Sequence, residues 1–186
     1  ITRRKVFIVA SAFEGAFMPN SEYVVTMARY NCWQNESLLL AADDLSELER
    51  QKDRGSFFGS IQRTLSHIFW GDMVWMSKFE LTPAPKGGIV ESTNLIRNWR
   101  RFRIARQMLD KRILTWSHEV TPDWFEGDVS WYSGVMGCNV HRPKKTLVIH
   151  LFIHQTHHRG QVHAMMTAAG ARPENTDVPF MPAPFL

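Results

Sequence analysis

The clearest indication of the fold is the segment at residues 95–116, LIRNWRRFRIARQMLDKRILTW. Within it, apolar residues and one arginine recur at alternating spacings of four and three, a pattern typical of a helix that faces a bundle core. The stripe consists of Leu95, Trp99, Phe102, Arg106, Leu109, Ile113 and Trp116. It predicts a helix from about Thr93 to His118, which Pro122 ends.

Three other stretches carry the same helical period. They run from about Ser21 to Asp44, from Ser56 to Phe79 and from Thr146 to Ala169. Asn20 and Ser21 are both suitable caps for the first of them. In the second, we expect Phe57 to face inward with the rest of the apolar stripe. Gly170 closes the last stretch.

The segment between the third and fourth predicted helices, residues 125–145, has no helical period. Val129, Trp131 and Val135 suggest short strands there, paired as a hairpin. We therefore predict an all-α four-helix bundle over residues 20–171, with a long crossover before the last helix and a small β-hairpin in it. Residues 172–186 contain four prolines and read as an extended arm, and residues 1–19 read as an N-terminal extension.

Charge and cysteine content narrow the class of protein. The net charge is +4, and much of the excess lies in the arginine-rich third helix. Such a stripe is typical of a solvated helix face and less often of a nucleic-acid binder. The two cysteines form no CxxC pair, which favours a reducing cytoplasm. The sequence has no apolar run of the roughly 18 residues that a membrane span needs.

Five of the eight histidines lie in the segment 150–163. On a helical wheel at about 100° per residue, His158 follows His154 by about 40°, so both lie within the apolar stripe of the last helix. Two imidazoles one turn apart on a buried face can bind one ion. The spacing alone fits equally well a pair of core histidines that have polar partners.

A third ligand candidate is His67 on the second predicted helix. It borders the core beside the small residues Ser60, Thr64 and Gly71, which leaves room for an ion. Three neutral histidines would leave coordination positions open, as catalytic zinc sites do. An ion held in this way could activate a bound water or thiolate.

Three motifs resemble the DinB/YfiT-like superfamily of metal-dependent proteins. The resemblance covers residues 17–170 and lies in the expected order along the chain. The motifs are YNCWQN at Tyr30–Asn35, SIQRTLSHIFWGD at Ser60–Asp72 followed by Trp75, and HQTHHRGQ at His154–Gln161. The resemblance implies a four-helix bundle, often a homodimer, with His67, His154 and His158 as metal ligands.

The resemblance also implies a class of reaction. Members with an assigned activity are mostly metal-dependent transferases of low-molecular-weight thiols, and some resemble hydrolases or isomerases. We therefore expect a divalent ion, zinc or nickel first with iron and manganese as alternatives, and a small-molecule substrate. The alternatives are a non-catalytic dimeric bundle whose core the metal stabilises and, less favoured, a nucleic-acid-binding protein.

Other polar residues near the motifs invite expectations of their own. Asn31 and Gln161 are candidates to line a substrate pocket. We expect Asp72 to have a structural role, since it lies about 140° around the helix from His67. Arg159 is expected to pair with an acidic side chain, and Gly160 to permit close helix packing.

Overall fold

The computed structural model describes residues 19–186, so all but the last residue of the predicted N-terminal extension lies outside the described part. The described residues form four long helices, two short ones and a two-stranded hairpin. The long helices are α1 (Ser21–Asp43), α3 (Ile61–Phe79), α5 (Trp99–Glu119) and α6 (Lys144–Ala168); the short ones are α2 (Glu47–Gln51) and α4 (Ile89–Ser92); the strands are β1 (Asp128–Ser133) and β2 (Cys138–Pro143). The predicted helical bundle with a hairpin in the crossover is confirmed.

Side-chain caps decide where the helices begin. Oδ1 of Asn20 accepts a hydrogen bond from the first turn of α1, as predicted. The second predicted helix begins later than expected, because Ser60 caps α3 and Gly59 precedes it at φ +82°. Phe57 therefore lies in a turn outside the helix. The prediction that it faces inward is wrong, since its side chain is 80% exposed.

The arginine-rich helix α5 also begins later than its stripe predicted. Asn98 caps it by accepting a hydrogen bond from the backbone of Arg101 at 3.0 Å. The six residues 93–98 instead form the connection from α4. The stripe itself faces the core as predicted, and both Phe102 and Ile113 are fully buried.

The four long helices pack around one apolar core. Helix α1 contacts α5 and α6, and α3 contacts α6 and α5. The α3–α6 contact joins the two histidine-bearing helices. None of the helices in residues 19–186 has the length and apolarity needed to cross a bilayer.

The crossover hairpin lies against the α3 side of the bundle. Its strands are antiparallel, with Trp131 opposite Val140. The ring of Trp131 packs against Trp75 of α3, with the ring centroids 5.6 Å apart. Val135, which suggested a strand, lies in the exposed turn between β1 and β2.

The proline-rich tail docks along α1. Tyr30 donates from its hydroxyl to the carbonyl of Thr176 at 2.7 Å, and Trp33 donates from its indole to the carboxylate of Glu174 at 2.7 Å. Met181 is buried against the same two aromatic rings. The C-terminal segment thus covers one face of the bundle.

Candidate metal centre

Helices α3 and α6 bring His67, His154 and His158 together. Their ligand nitrogens all lie within 4.8 Å of one another. The ring centroids are 5.2 Å apart for His67 and His154, 4.8 Å for His67 and His158, and 4.6 Å for His154 and His158. We call these three side chains the histidine cluster; they are the three that the sequence proposed as metal ligands.

A glycine on α3 makes room for the cluster. A Cβ atom built on Gly71 would lie 2.9 Å from Cε1 of His154, closer than carbon atoms approach one another. Any side chain at this position would push the His154 ring away from its neighbours. Gly71 is therefore the position at which α3 admits a ring from α6.

Ser92 fixes which nitrogen of His67 carries the proton. Its hydroxyl donates to the carbonyl of Ile89 at 2.6 Å, so its oxygen is left to accept from Nδ1 of His67 at 2.8 Å. The proton of the neutral imidazole is therefore on Nδ1. The lone pair of His67 is on Nε2, the nitrogen that faces His154.

Gln161 does the same for His158. Its amide oxygen lies 2.9 Å from Nδ1 of His158, and its amide nitrogen lies 3.2 Å from Nε2 of His157. An amide oxygen can only accept, so Nδ1 of His158 is protonated and Nε2 holds the lone pair. Gln161, proposed as a pocket residue, thus contacts a member of the histidine cluster and orients it.

The two ring nitrogens of His154 lie in different surroundings. Its Nε2 lies 3.2 Å from Nε2 of His67, and its Nδ1 is buried with no hydrogen-bond partner among the described residues. A buried polar atom without a partner costs about 1–3 kcal/mol. An ion bound at Nε2 would leave Nδ1 without a partner, so the contact that points to a ligand site is the one between Nε2 of His154 and Nε2 of His67.

Burial keeps the cluster neutral. It lowers the pKa of His67 to about 4 and that of His154 to about 3, and in both cases the charge of His158 acts in the same direction. Burial also lowers the pKa of His158, although the hydrogen bond that His158 donates to Gln161 raises it. At neutral pH all three imidazoles are therefore uncharged and keep the lone pairs that metal binding requires.

Aromatic rings shield one side of the cluster. Phe58 stacks on His67 with the ring centroids 4.0 Å apart, and Trp70 lies 5.8 Å from the same ring. His150 and His157, which flank the pair on α6, are exposed. The rings thus provide an apolar wall beside the three nitrogens.

A second buried polar cluster, which we call the ion network, lies in the same bundle. Arg106 donates to Asp72 at 2.6 Å and to Asp110 at 2.7 Å. Asn35 donates to Asp110 at 2.8 Å, and Gln155 donates to Asp72 at 2.9 Å. Asp72 therefore has the structural role expected of it, and the arginine in the α5 stripe is explained by its two carboxylate partners.

Asn31 and Arg159 border the ion network. Asn31 is fully buried; it donates to Asp110 at 3.2 Å and accepts from Arg159. Its amide is committed to these two residues, whereas the sequence proposed it as a pocket residue. Arg159 has no carboxylate oxygen within 4 Å among residues 19–186, so none of these residues is the acidic partner that the sequence predicted.

The residues of the histidine cluster fit a divalent ion. Two nitrogens each 2.0–2.1 Å from a tetrahedral ion are about 3.3 Å apart, and Nε2 of His67 lies 3.2 Å from Nε2 of His154. Without an ion, the same distance suits an N–H···N hydrogen bond between the two rings. Such a site needs neutral imidazoles with oriented lone pairs. It also needs room for the rings, and the lack of a side chain at Gly71 provides room for His154.

These features define a helical bundle with three histidines gathered between two of its helices. The model of the DinB family matches residues 18–184. The chain therefore belongs to the DinB family. It is also similar to "Protein DinB" of Bacillus subtilis (strain 168), 23% identical over an alignment of 175 residues that covers 84% of this chain and 92% of that protein.

Two residues of the site gave no signal in the sequence. Ser92 reaches His67 from α4, a four-residue helix that no periodicity reveals. Phe58 lies in the turn where the apolar pattern predicts the start of a helix. It is Phe58, and not Phe57, that faces inward. A serine or aromatic residue in a loop has no spacing from which its partner could be inferred.

Proposed function

We propose that this protein is a metal-dependent enzyme whose divalent ion is held by His67, His154 and His158. The observation that carries the proposal is the convergence of their ligand nitrogens within 4.8 Å. The group contains no carboxylate or thiolate from residues 19–186. Catalytic metal sites typically take three protein ligands and leave a position for water or substrate, whereas structural sites take four.

The protonation state of the site supports this assignment. Ser92 and Gln161 hold the protons of His67 and His158 on Nδ1, so both Nε2 lone pairs are ready to bind. Hydrogen bonds of this kind orient a ligand and raise its basicity. The low pKa values of His67 and His154 keep protons from competing with the ion at neutral pH.

We propose a thiol-dependent S-transferase as the reaction class, with a hydrolase as the alternative. A divalent ion on neutral ligands keeps its full charge, and it would stabilise an anionic sulfur or oxygen and lower its pKa. In such a transfer the thiol sulfur bonds to an electrophilic carbon, the leaving group departs with its bonding electron pair, and the thiol proton passes to solvent. Phe58 and Trp70 would exclude water from this side of the site.

Cobalt substitution tests for an open coordination position. The protein is stripped with a chelator, loaded with Co²⁺ and titrated with a small thiol while its absorption spectrum is recorded. We expect a new thiolate-to-cobalt charge-transfer band that saturates with thiol. A cobalt spectrum that thiol leaves unchanged would show a closed site and favour the non-catalytic metal-binding bundle.

Two neighbouring histidines provide the matched variants. His158→Ala removes a proposed ligand, whereas His157→Ala removes the exposed imidazole beside it. We expect His158→Ala to lose the charge-transfer band and His157→Ala to retain it. Consumption of thiol in the presence of an electrophile, assayed on the same proteins, then tests the transferase, and hydrolysis of ester substrates tests the alternative. The homodimer stays a prediction, to be measured by sedimentation.

A further inference from the structure

We propose that the groove between α1 and α6, on the side covered by the C-terminal tail, binds a small carboxylate-bearing ligand through Arg159. Arg159 is only 5% exposed, and it lines a cavity in this groove. This proposal is independent of the metal centre. It begins from a contrast between two buried arginines.

Arg106 and Arg159 are both buried, but their partners differ. Arg106 meets two carboxylates in the ion network. Arg159 donates only to neutral oxygens, those of Asn31 and, at 3.3 Å, Thr156. A buried guanidinium normally pairs with a carboxylate or phosphate, because desolvating the charge is costly.

The stabilisation that Arg159 does receive is indirect. Its guanidinium carbon lies 5.4 Å from the ring centroid of Tyr30, and Asn31 relays it to Asp110. Arginine carries its charge at neutral pH. Arg159 is thus a buried cation without a contacting anion among the described residues, and part of its five-donor fork is unused.

The cavity beside Arg159 is suited to an anion of modest size. Its volume is about 260 Å³, and none of the residues that line it is acidic. Gln34, Thr156 and His163 supply polar groups, and Leu38 and Ala164 supply apolar surface. Pockets for drug-sized ligands are typically about 300–1,000 Å³, so this one fits a smaller molecule.

A carboxylate matches the guanidinium of Arg159 in charge and in shape. Its two oxygens accept in the plane of the guanidinium fork. A short alkyl chain attached to it would lie against Leu38 and Ala164. The tail partly encloses the site, since Thr176 lines the cavity and is held by the hydroxyl of Tyr30.

Side-chain NMR of arginine tests the proposal directly. The Nε–H resonance of Arg159, assigned by loss of the peak in Arg159→Lys, is followed as butyrate is added to the full chain. We expect a saturable shift with a millimolar dissociation constant, as befits so small a ligand. Butyramide, which has the same shape without the charge, should cause no shift, and neither should either ligand at the Nε–H of Arg106.

A variant that fills the groove keeps the test independent of folding. Gly160 lines the cavity, and a Cβ atom there would meet nothing within 4 Å. The open space corrects the expectation that Gly160 permits close packing. Gly160→Leu should fold at least as well as the wild type, because leucine favours helix over glycine, and it should weaken butyrate binding at least tenfold. Ala168→Leu, on the same helix and outside the lining, is the matched control and should bind normally.

Several outcomes would overturn the proposal. Equal shifts with butyrate and butyramide would show that the charge of Arg159 does not select the ligand. No shift of the Arg159 resonance at saturating butyrate would show that the groove does not admit it. Unchanged affinity in Gly160→Leu would place the binding elsewhere.

Discussion

The ion network and the histidine cluster both include residues of α3 and α6, yet they satisfy their polar groups differently. In the ion network, Asp72 of α3 meets Gln155 of α6 and the charge of Arg106. In the histidine cluster, Nε2 of His67 on α3 faces Nε2 of His154 on α6 at 3.2 Å. In the ion network, amide and guanidinium N–H groups donate to the carboxylate oxygens. In the histidine cluster, the three imidazole nitrogens that face one another have at most one proton among them.

This difference separates a structural cluster from a candidate ligand site. Both are buried and polar, so burial alone does not distinguish them. The ion network is nearly complete, with only Nε of Arg106 and Oε1 of Gln155 unpaired. The histidine cluster has lone pairs that a cation would complete, and Ser92 and Gln161 orient two of them.

The largest expected effect comes from opening the ion network. Arg106→Ala leaves two buried carboxylates without their cation, and removing one partner of a buried pair costs about 3–5 kcal/mol. We expect the free energy of unfolding in urea to fall by that amount. Arg101→Ala, at an exposed position on the same helix, should change it by less than about 0.5 kcal/mol. A loss equally small in Arg106→Ala would mean that the ion network does not stabilise the fold.

The histidine cluster should respond to an ion, and the ion network should not. A ligand that binds only the folded state at 100 times its dissociation constant adds about 2.7 kcal/mol to the free energy of unfolding. We expect Zn²⁺ to have an effect of this size on the wild type and on His157→Ala, but none on His154→Ala. Stabilisation of His154→Ala by the full amount would place the ion elsewhere.

Ser92 tests whether ligand orientation matters. Loss of a hydrogen bond to a metal-binding histidine typically weakens metal affinity 10–100-fold, and we expect this from Ser92→Ala in calorimetric titration with Zn²⁺. Thr93→Ala is the matched control. The hydroxyls of Thr93 and Ser92 each donate to the carbonyl three residues back, but the hydroxyl of Thr93 makes no hydrogen bond to His67. Equal affinities of the two variants would show that the Ser92 contact does not tune the site.

The smallest effect is on the pH dependence of the metal-free protein. An unfolded histidine takes up its proton near pH 6.5, whereas the pKa is about 4 for His67 and about 3 for His154 in the folded chain. The unfolded state therefore binds more protons in this interval, so stability falls as pH falls from 6.5 towards 4. In urea titrations across this range, His67→Gln/His154→Gln should lose part of the slope. An unchanged slope would show that the two rings titrate normally.

The sequence predicted the bundle from periodicity, and it predicted the three histidines from the spacing in the last helix together with the family resemblance. His154 and His158 are one turn apart, and the family motif singles out His67. Helix starts were less predictable, since Ser60 and Asn98 begin α3 and α5 several residues after the apolar pattern does. Capping depends on one side chain and one turn, which a stripe of apolar residues does not contain.

Partners across the fold were harder still to predict. Arg106 was visible as a charge within an apolar stripe, but Asp72 lies 34 residues before it and nothing local joins them. Arg159 was expected to find an acid and instead lines a groove with neutral partners. Pairings of this kind are set by how helices pack, and not by spacing within a helix.

Metal content shows most directly whether the histidine cluster holds a divalent ion. The wild type and His67→Ala/His154→Ala/His158→Ala are purified without a nickel column, checked for helical structure by circular dichroism and submitted to elemental analysis. We predict close to one divalent ion per chain in the wild type and almost none in the folded triple variant. Equal metal content in the two proteins would show that the histidine cluster does not hold the ion.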